Sequence, residues 1–283
     1  MGFLTQPFRA LPPSVLPLLL VLPALLTVFF LFLVPLVSSV TGAFAVEGGF
    51  GFGNLARAFD LYSGDIIFTV AIVSLSTAII GILSLAIGGY LTLGENRIAV
   101  AALAWLYRWP LFIPFIVVGQ ILRTFLAKNG FMNNMFVGMG LLTPAETISF
   151  LDWRGIVIAF VWKQTAFVAL LVAGAMASLD RSTIEAARNL GASRLRILLE
   201  IVTPQVGANL IVGLVLSFVT MMSVLSVPLM IAPQSPTMLT ADIAFRINAY
   251  GDYGTANALG LISFALTGLV AWIYLRYGLR EKA

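Results

Sequence analysis

Few side chains in this sequence can do chemistry, and the most isolated of them is Lys163. It stands in Trp162-Lys163-Gln164-Thr165, well inside a long apolar run. Inserting such a charge into a bilayer costs at least about 2.5–3.5 kcal/mol, so its presence asks for a reason. It can touch a polar solute, snorkel to the interface, or donate to backbone carbonyls at a helix break. Ser217, Thr220 and Ser223, with Ser226 after them, recur every third residue in another apolar run. On a helix of 3.6 residues per turn each such step falls about 60° short of a turn, so the hydroxyls form a slanted stripe. They either line a polar path or serve helix packing and bond their own backbone. Lys163, Ser217, Thr220 and Ser223 are the candidate pathway residues.

The longest polar stretch runs from Asp180 to Gln205. It holds Arg181, Arg188, Arg194 and Arg196 with Asp180, Glu185 and Glu200, and apolar sequence flanks it on both sides. It reads as two short helices. Ser182-x-x-Glu185 fits a capping box. Gly191 is a stop, because glycine enters the left-handed conformation without a Cβ clash. Ser193 suits the cap of the second helix. There Leu195, Leu198, Leu199 and Val202 fall at i, i+3, i+4 and i+7 and so share a face. Pro204 is expected to end that helix, since it lacks the N–H.

Several chemistries are excluded. The chain has no Cys and no His, hence no thiolate site, no disulfide and neither the commonest metal ligand nor the usual neutral-pH proton carrier. No Gly-x-x-x-x-Gly-Lys occurs: Ala127, Trp162 and Glu281 precede Lys128, Lys163 and Lys282. The chain therefore has no P-loop of its own. Gly48-Gly-Phe-Gly-Phe-Gly53 is not a strand-to-helix turn of a βαβ unit and does not read as a phosphate loop. No Asp or Glu lies deep in a predicted span, which weakens a proton-coupled carrier.

The elements that position these residues are membrane helices. The 283 residues are 60% hydrophobic and 10% charged, against about 25% charged in soluble domains. Six runs are long enough to span, at about 20 residues each: Val15–Val40, Ile66–Leu93, Trp109–Leu126, Gly155–Ala177, Val206–Ile231 and Ala256–Tyr274. Pro110 and Pro114 fall early in the third. The loops are then Thr41–Asp65, Gly94–Arg108, Lys128–Arg154, Asp180–Gln205 and Ala232–Thr255, with a short surface helix expected after Lys128. Arg9, Arg97, Arg108, the four arginines of the polar stretch, Arg276, Arg280 and Lys282 fall on one side; Arg57, Lys128, Arg154 and Arg246 fall on the other. The positive-inside rule puts the first set, both termini and Asp180–Gln205 in the cytoplasm. The net charge of +4 reports that orientation and not a nucleic-acid partner.

Glu185-Ala186-Ala187, then Gly191 four residues after Ala187, then the apolar-x-x-Pro ending at Pro204, resemble the cytoplasmic loop of permease subunits in binding-protein-dependent ABC importers. The resemblance implies an all-α fold of the type I importer permease kind, with six transmembrane helices and a coupling loop between the fourth and fifth. It assigns ATPase coupling to Glu185, Ala186, Ala187, Arg188, Gly191, Ala192, Ser193, Arg194, Leu195 and Pro204. Residues 1–283 form one permease domain: 1–65 the first span and outer loop, 66–276 the core of five spans with the 180–205 loop. The implied partners are two cytoplasmic ATPase subunits that use ATP and Mg, a second permease, identical or paralogous, and an extracytoplasmic solute-binding protein in a bacterial inner membrane. By the same resemblance the chain itself is expected to bind no cofactor and to catalyse no reaction. Leu190-Gly191-Ala192 resembles the polyamine branch, so a polyamine-like solute comes first and a sugar second. A stand-alone secondary carrier and a membrane scaffold are the readings from other classes; neither accounts for the loop spacing.

Overall fold

The computed structural model describes residues 15–278, most of them helical. Arg9, Arg280, Lys282 and both termini, used above for orientation, lie outside the described residues. Among the described residues, five helices are long and apolar enough to cross a membrane, or six if one bent pair counts as a single span.

The chain enters through α1 (Val15–Val28), a π-helical turn (Phe29–Leu33) and α2 (Val34–Phe44). This first span is nearly bare, with Leu31 75% exposed, as a surface turned to lipid can be. It is held at α2, which packs on the last helix; there Ser39 Oγ donates to Asn257 Oδ1 at 3.0 Å. A two-strand hairpin follows, β1 (Ala45–Val46) and β2 (Gly49–Phe50), with Ala45 opposite Phe50. Then comes α3 (Gly53–Leu93), 41 residues long. The expected outer loop Thr41–Asp65 is therefore mostly hairpin and helix. Hydropathy registers only the lipid-embedded part of a helix; the polar turns Gly53–Asp65 continue it beyond. Asn54 Nδ2 fastens their start by donating to Ala45 O at 2.7 Å.

The third span is not one helix. The stretch from Arg97 to Gly138 runs through α4 (Arg97–Leu106), a 3₁₀ turn (Trp109–Phe112), α5 (Phe115–Leu126) and α6 (Phe131–Gly138), with a bend of 108° between Phe112 and Phe115. Pro114 sets it. Proline disfavours the helical conformation in the residue before it, and Ile113 is extended (φ −98°, ψ 119°). The connector Gly94–Arg108 is largely α4, capped by Asn96, whose side chain accepts from the N–H of Ile98 and of Ala99. Helix α6 is the short surface helix the sequence led one to expect.

Helix α7 (Trp153–Ala177) is the central span and packs along α3. Ile156, Phe160, Val168 and Val172 of α7 meet Ile72, Val73 and Ile80 of α3, all buried. The polar stretch gives α8 (Arg181–Asn189), α9 (Arg194–Arg196) and a π-helical segment (Ile197–Val202) that runs into α10 (Thr203–Ser223). The expected fifth span, Val206–Ile231, is broken at Val224–Leu225 before α11 (Ser226–Ile231). Pro228 has no N–H to offer Val224 O; Thr240 Oγ1 donates to that carbonyl instead, at 2.9 Å. The chain closes through α12 (Leu239–Phe245), a π turn (Arg246–Tyr250) and α13 (Tyr253–Gly278). A second cluster, including Ala43, Tyr62, Leu239 and Leu259, joins α2, α3, α12 and α13.

Candidate functional site

The polar loop is built from local caps. Asp180, not Ser182, caps α8: Asp180 Oδ1 accepts the Ser182 N–H at 2.9 Å and Oδ2 accepts the Ser182 hydroxyl at 2.7 Å. The expected Ser182–Glu185 box does not form. A carboxylate outcompetes a hydroxyl as acceptor at a helix N-terminus, where the dipole also favours negative charge. Those two bonds hold the Asp180 carboxyl below its ordinary range. Glu185 is left exposed.

At the other end Gly191 takes φ +84°. Its N–H donates to Arg188 O at 2.9 Å, and the Ala192 N–H donates to Ala187 O at 3.0 Å. This is a Schellman turn, in which the longer bond is accompanied by an apolar contact at its ends. Ala187 and Ala192, those two ends, both pack against the core. The spacing Glu-Ala-Ala-x-x-x-Gly thus has a structural meaning: it sets a small residue at each end of the closure and glycine at its left-handed position. Ser193 Oγ then accepts the Arg196 N–H at 3.3 Å, as expected.

Pro204 does not end the second helix, which continues from Arg194 to Ser223. The π segment before it widens the helix, and the Thr203 N–H reaches back to Leu198 O. Wide turns of this kind accommodate a residue that a regular ladder cannot hold. They also change the repeat, so the expected face of Leu195, Leu198, Leu199 and Val202 is not the buried one. Ile197 and Val202 are fully buried, while Leu195 and Leu199 are exposed. Leu198 seats on Gly89 of α3, where any Cβ would lie 2.8 Å from Leu198 Cδ1. Arg194 pairs with Glu95 between α3 and α4, and Arg196 with Glu200. Ile184 is buried under α8, while Leu190 at the loop tip is 88% exposed.

The pathway candidates divide. Lys163 Nζ donates to Pro110 O and, at 3.0 Å, to Leu111 O, with the Phe115 ring 5.7 Å away. It thus closes the third-span break. Ser217 is fully buried. Thr220 and Ser223 are exposed near the α10 break and donate to Leu216 O and Thr220 O. The sequence reading passed over Arg123, although an arginine inside Trp109–Leu126 was a visible signal. It is exposed on α5, donates to Met230 O at 3.2 Å, and borders a cavity of about 440 Å³ shared with Phe68, Asp152 and Gln234.

At the end of the fold opposite the loop lies a second polar cluster the sequence did not disclose. Asp65 is buried in α3; its carboxylate accepts the Thr237 N–H at 2.7 Å and the Ser235 hydroxyl at 3.2 Å. The Thr69 hydroxyl accepts the Leu239 N–H at 3.0 Å. Asp242 on α12 is 7% exposed and its Oδ2 has no partner. Burial, then the nearby Asp65 charge, push its carboxyl up to about 7, against the pull of Arg246. Arg246 itself bonds Tyr62 and Asp252. A carboxyl raised in the folded state supports folding fully below its unfolded value near 4 and loses that support as pH rises through about 7. Asp242→Asn should therefore match the wild type in thermal stability at pH 4 and exceed it at pH 8, by at most about 4 kcal/mol. Melting curves of both proteins across that range check this; a constant difference would remove Asp242 as the source.

Helices of membrane length, with a polar loop locked to two of them, are the architecture of a multi-span membrane protein. Residues 84–280 match the model of the family described as "binding-protein-dependent transport system inner membrane component", and the chain belongs to that family. It is a permease subunit of a type I ABC importer. Among similar proteins, the sulfoquinovosyl glycerol transport system permease protein SmoG of Agrobacterium fabrum is 26% identical, over 80% of this chain and 75% of its own length. The spermidine/putrescine transport system permease protein PotB of Salmonella typhimurium is 24% identical, over 80% and 79%. In fold, the chain superposes on a bacterial ABC transporter involved in import of the acidic polysaccharide alginate with a TM-score of 0.79, covering 94% of this chain and 96% of that one, at 19% identity.

Proposed function

We propose that Asp180–Gln205 is the lever through which a separate ATPase drives this permease, and that the loop faces the cytoplasm. The observation that carries this reading is the way the loop is fixed. Its second helix is continuous with α10, its first is anchored by Ile184, and Arg194 ties it to Glu95 at the end of α3. A push on its exposed tip is thereby delivered to α10 and α3 together. In this reading Glu185, Leu190 and Leu195 meet the ATPase, and Arg188 stands behind them on the side of the spans. Ala186, Ala187, Gly191, Ala192, Ser193 and Pro204 hold the shape. Two ATPase subunits consume ATP with Mg. A second permease completes the pathway, and a solute-binding protein delivers solute from outside the inner membrane.

The pathway is proposed to pass Thr220 and Ser223, with Lys163 and Ser217 supporting its walls. The solute is small and polar. The Leu190-Gly191-Ala192 signature favours a polyamine; relatives include both polyamine and sugar-glycerol permeases, and competition between spermidine and trehalose for uptake separates the two.

Two measurements test the lever. Cysteines placed singly at Ser182 and Ser235 are probed with an impermeant reagent in right-side-out vesicles; Ser235 should label and Ser182 should not. The affinity-tagged chain should bring down an ATPase from its native membranes, and Leu190→Asp with Leu195→Asp should reduce that recovery by about tenfold or more, the equivalent of 1.4 kcal/mol. Labelling at Ser182 with protection at Ser235, or undiminished recovery, would refute the reading.

A further inference from the structure

On the loop side a cavity of about 620 Å³ opens between the ends of α3 and α7, helix α4 and helix α8. Its polar lining is Arg108, Arg181, Arg188, Glu185, Thr92 and Tyr107. Three guanidinium groups thus face one carboxylate. None of the three forms an ion pair among the described residues, whereas Arg194 and Arg196 further along each have a partner. Arg108 is oriented by a neutral group, donating through Nε to the Tyr107 hydroxyl at 3.1 Å. Arg181, the buried Ile184 and Arg188 fall at i, i+3 and i+7 and so share one face of α8, the face that borders the cavity. They are set apart from the exposed Leu190 tip offered to the ATPase.

The inner walls are apolar: Leu91 of α3, Val100 and Ala104 of α4, Leu170 and Ala173 of α7. Beside the cavity, exposed Trp105 and Trp109 stack edge-on at 4.6 Å, and aromatic rings of this kind settle at headgroup level. A mouth with uncompensated arginines over apolar walls is complementary to an amphiphilic anion. Guanidinium forks match phosphate oxygens, and basic pockets between spans on the cytoplasmic side take phospholipid headgroups. We propose that this cavity is a phosphate-binding site, with the headgroup of an anionic phospholipid as the source its walls favour. The placement of the cavity in the cytoplasmic leaflet rests on the orientation proposed above.

The test uses the full chain purified in mild detergent and titrated by native mass spectrometry with phosphatidylglycerol, phosphatidylcholine or inorganic phosphate. Phosphatidylglycerol should bind the wild type at least tenfold more tightly than phosphatidylcholine. Arg108→Gln with Arg181→Gln should weaken phosphatidylglycerol binding by about 25-fold, about fivefold per guanidinium, and leave phosphatidylcholine unchanged. Arg108→Lys with Arg181→Lys, which keeps the charge, should retain most of the binding and shows that loss is not misfolding. Failure of millimolar inorganic phosphate to displace the lipid supports the headgroup, and displacement supports free phosphate at the same site. Equal binding of the two lipids, or no effect of the Gln pair, overturns the proposal. Recovery of the ATPase with the same tagged chain keeps the two readings apart. Lipid binding retained without an ATPase would overturn the lever and not the site; the converse would overturn the site alone.

Discussion

Gly191→Val is expected to yield a membrane-inserted permease that takes up solute at least about tenfold more slowly than the wild type. The reason is backbone conformation. At φ +84° nothing lies within 4 Å of an added Cβ, so the substitution meets no neighbour. A β-branched residue in the left-handed region is nevertheless an outlier, at a cost of order 1–3 kcal/mol. The chain escapes by leaving that conformation, and with it go the Gly191–Arg188 and Ala192–Ala187 bonds that set α9 against α8. The spans keep their own internal hydrogen bonds, which the bilayer enforces. Loss should fall on coupling: solute-stimulated ATP hydrolysis by the assembled transporter drops together with uptake, while membrane content does not. Gly191→Asn is the matched control, since asparagine tolerates the left-handed region, and should keep most of the activity. Wild-type coupling in Gly191→Val would sink the lever.

Lys163→Met should destabilise the protein before it alters solute selection. The ammonium is committed to Pro110 O and Leu111 O at the bend of the third span. Hydrogen bonds to a charged group contribute about 1.5–3 kcal/mol each. Their loss leaves two carbonyls in an apolar setting beside a proline that cannot compensate. A fall in melting temperature of about 5 °C or more is expected, with uptake falling in proportion to folded protein. Lys163→Arg, which can still donate to both carbonyls, should recover part of it. A changed KM for solute in Lys163→Met at unchanged stability would instead make this lysine a solute contact.

What could be read in the sequence was what is local. Gly191 and Ser193 declare themselves because their roles depend on the three or four residues around them. Asp180 was overlooked because two acceptors competed within three positions, and residue type alone did not rank them. The spans were legible as hydropathy, but their breaks were not. The bend at Pro114 depends on Lys163 to close it, 52 residues from Leu111. The break before Pro228 depends on Thr240, which supplies the donor that proline lacks. Asp65 read as a loop residue because a polar helical turn outside the lipid looks like a loop to hydropathy. Its bond to the Thr237 N–H spans 172 residues, a pairing no local pattern announces.

The unbroken run of α3 has a mechanical consequence. Near one end Asp65 holds the segment before α12 at Ser235 and Thr237; near the other, Gly89 is the seat of Leu198. The 24 residue steps from Asp65 to Gly89 make an arm of about 36 Å, at 1.5 Å each. No proline interrupts it, so it has no joint at which to absorb rotation. Pivoting by about 10° around Asp65 would sweep the Leu198 seat sideways through about 6 Å. The helix is a lever arm: a small angle at its fulcrum would become a sideways shift of several ångströms at the Leu198 seat.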